Sequence, residues 1–248
     1  MSTSTLRQFL AKRLLPVTAS GNSRSMSSSA AAKPVLYAMY ASSCSWRVRI
    51  ALNLKQIPYD IQSISLLKPV PDTVFSNTDE YRKVNPMQQV PALHIDGHTL
   101  CDSVAIMHYL DETRPSNPLL PHDALQRAKV REIVQIICSG IQPLQNAAVL
   151  TQIGKEKYLP WAQQWISRGF RGLEQVLASS AGKYSVGDAF TMADCCLVPQ
   201  VFNARRYEVD LEPYPNIVRL ERELSAVPAI SAGHPLRQPD CPPELASK

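Results

Sequence analysis

Ser42-Ser43-Cys44-Ser45-Trp46-Arg47-Val48-Arg49 lies between Val35-Leu36-Tyr37-Ala38-Met39-Tyr40 and Ile50-Ala51-Leu52-Asn53-Leu54. The run before it alternates like a strand, and the run after it spaces Val48, Ala51 and Leu52 like a helix face. A strand therefore ends, and a helix begins, at the serines. The first turn of a helix leaves backbone N–H groups without partners and carries the positive end of the dipole, so it favours an anion. Ser42, Ser43 and Ser45 bring small hydroxyls there, and Cys44 brings a thiol. The stretch reads as a site for a negatively charged sulfur, either Cys44 or a thiol carried by a ligand. A plain helix cap by Ser42 or Ser43 accounts for the same serines.

Working outward, the helix from about Ser45 to Lys55 leads to a second strand over Tyr59–Leu67, parallel to the first because a helix separates them. A loop over Lys68–Thr78 and a short helix over Asp79–Val84 follow. Ala92–Ile95 and His98–Cys101 flank Asp96-Gly97, a pair suited to the positive φ angles of a tight hairpin turn. Ser103 is expected to cap a helix over Val104–Glu112. Pro115, Pro118 and Pro121 exclude a helix and mark a linker. Beyond it only helices are expected: one carrying Val130, Ile133, Val134, Ile137, Ile141, Leu144 and Ala148 with a kink at Pro143, a second around Trp161 to Leu177, a third over Met192–Arg206 and a fourth over Ile217–Ala226. From Ser231 the Pro-rich tail is expected to wrap the surface without regular structure. The fold class is α+β, a thioredoxin-like half over 34–114, a linker over 115–122 and an all-helical half with its tail over 123–243.

The charge is concentrated at the start of the chain. Of 26 basic residues, Arg7, Lys12, Arg13, Arg24 and Lys33 fall before residue 34, where there is no acid; the remainder balances the 21 acidic residues. The net charge of +5 is thus no argument for binding nucleic acid. Residues 1–33 read as a transit peptide or a disordered extension, with Met26 as a second possible start, so the expected location is mitochondrial or cytoplasmic. No stretch approaches the ~20 apolar residues of a membrane span. The six cysteines show no C-x-x-C spacing and read as reduced thiols. His94, His98, Cys101 and His108 are not expected to bind metal, because the hairpin itself explains the histidine spacing.

A second cluster completes a pocket. Val90-Pro91 enters a strand, where proline is poorly tolerated, so a cis bond is expected there; Val90 would then offer its backbone N–H and C=O to an extended ligand. The helix start at Asp102-Ser103 faces the same crevice, with N–H groups for a carboxylate and Asp102 for an ammonium. Together these features describe a site for a zwitterionic peptide that carries a thiol.

The motifs Ser42-Ser43-Cys44-Ser45-Trp46-Arg47-Val48-Arg49-Ile50-Ala51-Leu52, Asn85-Pro86-Met87 with Gln89-Val90-Pro91, Ile141-Gln142-Pro143-Leu144-Gln145-Asn146, and Val186-Gly187-Asp188 with Thr191-Met192-Ala193-Asp194 resemble the zeta-class glutathione transferases, also called maleylacetoacetate isomerases. The resemblance covers Lys33 to about Glu244. It implies a homodimer, glutathione as cofactor, and isomerisation of maleylacetoacetate to fumarylacetoacetate in tyrosine and phenylalanine catabolism, with transferase activity toward electrophiles such as α-haloacids. Carried over by motif, the catalytic residues are Ser42, Ser43 and Cys44. The glutathione contacts are these three with Ser45, Trp46, Arg47, Val90, Asp102, Ser103, Gln142 and Asn146. Arg206 and Arg47 are the cations for a dianionic substrate. Asp102 stands where relatives usually have Gln, and Ala148 where some have Ser.

A thiol of pKa ~8.5 is only a few per cent ionised near neutrality, and lowering it two units takes about 2.7 kcal/mol. A helix dipole gives roughly 0.3–1 kcal/mol, up to ~2, and a hydrogen bond to a charged group roughly 1.5–3. A hydroxyl donor is therefore required, and Ser42 is the choice. Two other readings compete: a glutathione-dependent thiol reductase using Cys44, and a non-catalytic binding module of the same fold.

Overall fold

The computed structural model describes residues 32–66 and 68–246; the predicted leader at 1–33 falls almost wholly outside them. In β1 (Val35–Ala38), Leu36 and Ala38 are buried and their neighbours half-buried, the alternation read from sequence. β1 pairs parallel with β2 (Asp60–Ser65) and antiparallel with β4 (Ala92–Ile95), which pairs with β5 (His98–Cys101) across Asp96 and Gly97 at φ +54° and +78°. The expected loop over Lys68–Thr78 contains a two-residue strand, β3 (Val74–Phe75), added parallel to the edge of β2; the sheet order is β3-β2-β1-β4-β5. Two residues carry no readable alternation, so only the pairing reveals this strand.

Three helices accompany the sheet: α1 (Ser43–Leu54), α2 (Asp79–Val84) and α3 (Ser103–Thr113). Ser103 is not the cap of α3. Asp102 is, with φ +76° and its Oδ1 accepting from the Val104 and Ala105 N–H groups at 2.9 and 3.0 Å. A carboxylate at this end also meets the helix dipole favourably, which explains the substitution of roles.

The linker is tied down by Lys55 at the end of α1. Its buried Nζ donates to Asp111 Oδ1 at 3.0 Å and to the carbonyls of Arg114, Ser116 and Asn117 at 2.8 to 3.2 Å. The helical half follows as α4 (Ala124–Gln135), α5 (Ala147–Ile153), α6 (Lys155–Ser180), α7 (Met192–Arg206), α8 (Pro215–Ser225) and α9 (Pro228–Ala232). The helix expected to continue through a kink at Pro143 instead widens to a π-helical turn over Ile136–Ile141 and tightens to a 3₁₀ turn over Gln142–Gln145. Trp161 Nε1 donates to the Leu144 carbonyl at 2.8 Å, and Gln145 Nε2 to Gln200 Oε1 at 2.8 Å, so this irregular wall is held from two sides. α7 begins with a capping box in which Thr191 N–H donates to the Asp194 carboxylate at 2.7 Å.

α1 is buried nearly all round because it serves both halves, packing against α3 on one side and against α7 and α9 on the other. Full burial of a side chain such as Ile50 or Leu52 contributes about 1.5–3 kcal/mol. The tail is more ordered than expected: it forms α9 and a 3₁₀ turn at Pro235–Arg237, then buries Gln238 and Cys241.

Candidate active site

Between the start of α1, the Val90–Pro91 bend and the irregular wall lies a cleft of about 630 Å³, within the range of small-ligand sites. Ser42, Cys44, Arg47, Val90, Asp102, Ser103, Gln142 and Asn146 all line it. Ser42 is the N-cap of α1. Its Oγ accepts from the Ser45 N–H at 3.1 Å, which leaves its own O–H proton to donate into the cleft. The functional and capping readings of this serine are thus compatible, since they use different parts of one hydroxyl.

The Val90–Pro91 bond is cis, as expected, and the pairing register of β4 begins only at Ala92. Asp102 is exposed, and one of its oxygens caps α3 while the other points elsewhere. Asn146 caps α5 through its side-chain oxygen, 3.0 Å from the Ala148 N–H. Arg47 is buried, and its Nη1 donates to Ser103 Oγ at 3.2 Å. Its Nε and Nη2 have no protein partner. A buried guanidinium with two free donors is costly unless an anion meets it, so this cleft suits a ligand with carboxylates.

Not every candidate read from the sequence arrives there. Ser43 and Ser45 are buried within α1 and do not line the cleft. Trp46 turns away altogether: its indole N–H donates to the Ile230 carbonyl at 3.2 Å, and its ring stands edge-on to Phe202 and His234. It belongs to the junction with the tail. Arg206 lines a neighbouring cavity of about 500 Å³ with Lys155 and Tyr158; Ala147 of α5 is common to both spaces. Cys138 lines the cleft without having been expected there, although its spacing of four from Gln142 suits one side of a helical turn.

The thiols differ in character. Burial pushes the Cys44 thiol up, against the opposing pull of Arg47. Cys138 is held below the usual thiol range, chiefly by its hydrogen bond with Cys196 and further by Arg47. Among the described residues no group of three metal-ligating side chains forms.

The glutathione S-transferase N-terminal domain family matches residues 36–118, and the C-terminal domain family residues 156–222. "Probable maleylacetoacetate isomerase 2" of Drosophila melanogaster is 66% identical over 89% of this chain and 96% of its own length. A bacterial maleyl pyruvate isomerase described as a zeta-class glutathione S-transferase superposes with a TM-score of 0.78 at 39% identity, covering 84% of this chain and all of that one. The chain belongs to the zeta-class glutathione transferases. A maleylacetoacetate isomerase from Anaeromyxobacter dehalogenans with glutathione bound in its active site is similar too, with a TM-score of 0.74 at 40% identity over 85% of this chain and 98% of that one. Zeta-class membership accounts for the mixed sheet followed by helices, and for a thiol site where the two halves meet.

Proposed function

We propose that the chain is an enzyme that catalyses glutathione-dependent cis–trans isomerisation of maleylacetoacetate to fumarylacetoacetate. The observation that carries this reading is the Ser42 hydroxyl, capped by the Ser45 N–H yet free to donate, at the positive end of α1 in a cleft shared with Val90, Asp102 and Ser103. Ser42, Val90, Asp102 and Ser103 would hold glutathione there, whose thiolate would supply the nucleophile for reversible addition to the cis double bond. Ser42 donates to the sulfur and, with the helix dipole, keeps it ionised. The second oxygen of Asp102 takes the ligand's ammonium, and the Ser103 N–H, which the Asp102 cap leaves open, takes a carboxylate together with Arg47. Val90 pairs with its backbone, and Gln142 and Asn146 close the far side.

Arg206 is the second cation of this proposal. A dicarboxylate that extends from the cleft past Ala147 meets it in the neighbouring cavity. The substrate half is then 123–243 and the glutathione half 34–114, in a homodimer located in mitochondria or cytoplasm; transferase activity toward α-haloacids belongs to the same thiolate. A Cys44-based thiol reductase is disfavoured, because burial keeps that sulfur protonated and no second cysteine stands in its helix.

The test is isomerisation of maleylacetone in the presence of glutathione. Wild type and Cys44→Ala turn over, whereas Ser42→Ala loses most activity. Equal rates for Ser42→Ala and wild type would overturn the assignment, and sedimentation of the purified chain decides the dimer.

A further inference from the structure

Two sulfurs in the cleft wall have no part in the proposed isomerisation. Cys138, half-buried on the π-helical turn, lines the cleft, while Cys196 of α7 is fully buried behind it. Their Sγ atoms are 3.7 Å apart, against about 2.05 Å in a disulfide. Closing that gap takes side-chain rotation with a shift of the backbone, and the π turn that carries Cys138 is the less regular of the two elements. A small solute in the cleft therefore meets Cys138 first and Cys196 only through it.

Charge sharpens the division. Arg47 lines the same cleft, buried, with Nε and Nη2 free of protein partners. Hydrogen bonding with Cys196 and then the Arg47 charge favour the Cys138 thiolate, while burial keeps the Cys196 proton in place. One sulfur is reachable from the cleft; its neighbour is enclosed behind it. That is the pairing of an attacking with a resolving thiol.

We propose that Cys138 and Cys196 are a peroxide-oxidisable pair, a reversible disulfide site in the wall of the cleft. The Cys138 thiolate attacks one oxygen of hydrogen peroxide: an S–O bond forms, the O–O bond breaks, and the departing hydroxide takes up the proton that Cys138 gave away. The Cys196 sulfur then attacks the Cys138 sulfur. The S–S bond forms, the S–O bond breaks, and the second hydroxide leaves as water with the Cys196 proton. Two thiols lose two electrons, and the peroxide becomes two waters.

The full chain, freed of reductant and held without glutathione, is titrated with hydrogen peroxide, denatured in acid, alkylated and digested for mass spectrometry. The expected product is a Cys138–Cys196 linked peptide, two hydrogens lighter than its reduced parts and reversed by dithiothreitol. It forms at peroxide doses that leave Cys44 and Cys101 alkylated. Fragmentation assigns the bond to Cys196 rather than Cys195, and Cys196→Ala stops at a dimedone-reactive sulfenic acid on Cys138. The proposal is overturned if Cys138 stays alkylatable after Cys44 has been consumed, if it passes to sulfinic acid in the wild type without a linked peptide, or if the bond goes to Cys195. Neither glutathione nor turnover enters the readout, so this result and that of the isomerase assay stand apart.

Discussion

Arg47 Nη1 lies 3.2 Å from Ser103 Oγ, joining α1 to the start of α3 beside the cleft. The contact uses one of the guanidinium's nitrogens and leaves Nε and Nη2 buried without a protein partner. Replacing Arg47 by Met removes a charge-assisted hydrogen bond, about 1.5–3 kcal/mol. The Kd for glutathione, measured by calorimetry, should rise roughly ten- to a hundredfold. An unchanged Kd would place the anion elsewhere.

Ser42 caps α1 and, in the proposed reaction, also donates to the thiolate, and substitution can separate the two. Ser42→Ala removes both cap and donor, so about 0.5–2 kcal/mol of stability goes with the activity. Ser42→Asn keeps a good cap and misplaces the donor, so its Tm should stay near wild type while isomerase activity falls at least tenfold. In both variants the thiolate absorbance of bound glutathione should titrate about one to two pH units higher than in wild type. Normal turnover in Ser42→Asn would show that capping alone suffices.

Local features are the ones legible in the sequence. The helix start at Ser42, the Asp96-Gly97 turn and the Val90–Pro91 bend each lie within a few residues of their partners. Trp46 and Cys138 escape such a reading because their partners, Ile230 and Cys196, lie far along the chain. The cap of α3 falls at Asp102, one residue before the serine expected to hold it, since serine and aspartate cap almost equally well and only the bonds from the Val104 and Ala105 N–H groups to the Asp102 carboxylate decide between them.

Lys55 gives a stability test outside the cleft. Lys55→Met leaves Asp111 and three linker carbonyls without their buried ammonium. Breaking such a pair costs about 3–5 kcal/mol, roughly 6–20 °C in Tm for a chain of this size. Thermal unfolding of the two proteins checks the figure; a drop under about 2 °C would mean that solvent reaches this site.

His234 supplies a pH dependence. Burial, then Arg237 and Arg49, depress its pKa below the usual value, and its Nδ1 accepts from the Leu236 N–H. The unfolded chain therefore takes up a proton at a pH where the folded chain still resists it. The stability contributed by the neutral ring is present above the unfolded value of about 6.5 and is lost as pH falls toward the folded value. Tm measured against pH should decline through that window in wild type, and His234→Gln should flatten the decline.

Arg206 tests the neighbouring cavity. Arg206→Ala should raise KM for maleylacetone several-fold and leave the Kd for glutathione within about twofold, since the side chain lines the cavity beyond Ala147 and not the cleft. A shift in glutathione affinity instead would place Arg206 with the thiol.

The loop ahead of Ser42 is anchored by the far end of the chain. The Tyr40 N–H donates to Asp240 at 2.7 Å, and Arg49 spans from the Tyr40 carbonyl at 3.0 Å to that of Gly233 at 2.9 Å. A Cβ on Gly233 would lie 3.1 Å from the Trp46 ring, so the two segments touch. During synthesis the sheet and its helices emerge first, yet the loop beside Ser42 gains these anchors only once Gly233 and Asp240 have left the ribosome. A nascent chain stalled before that segment holds a half-furnished pocket.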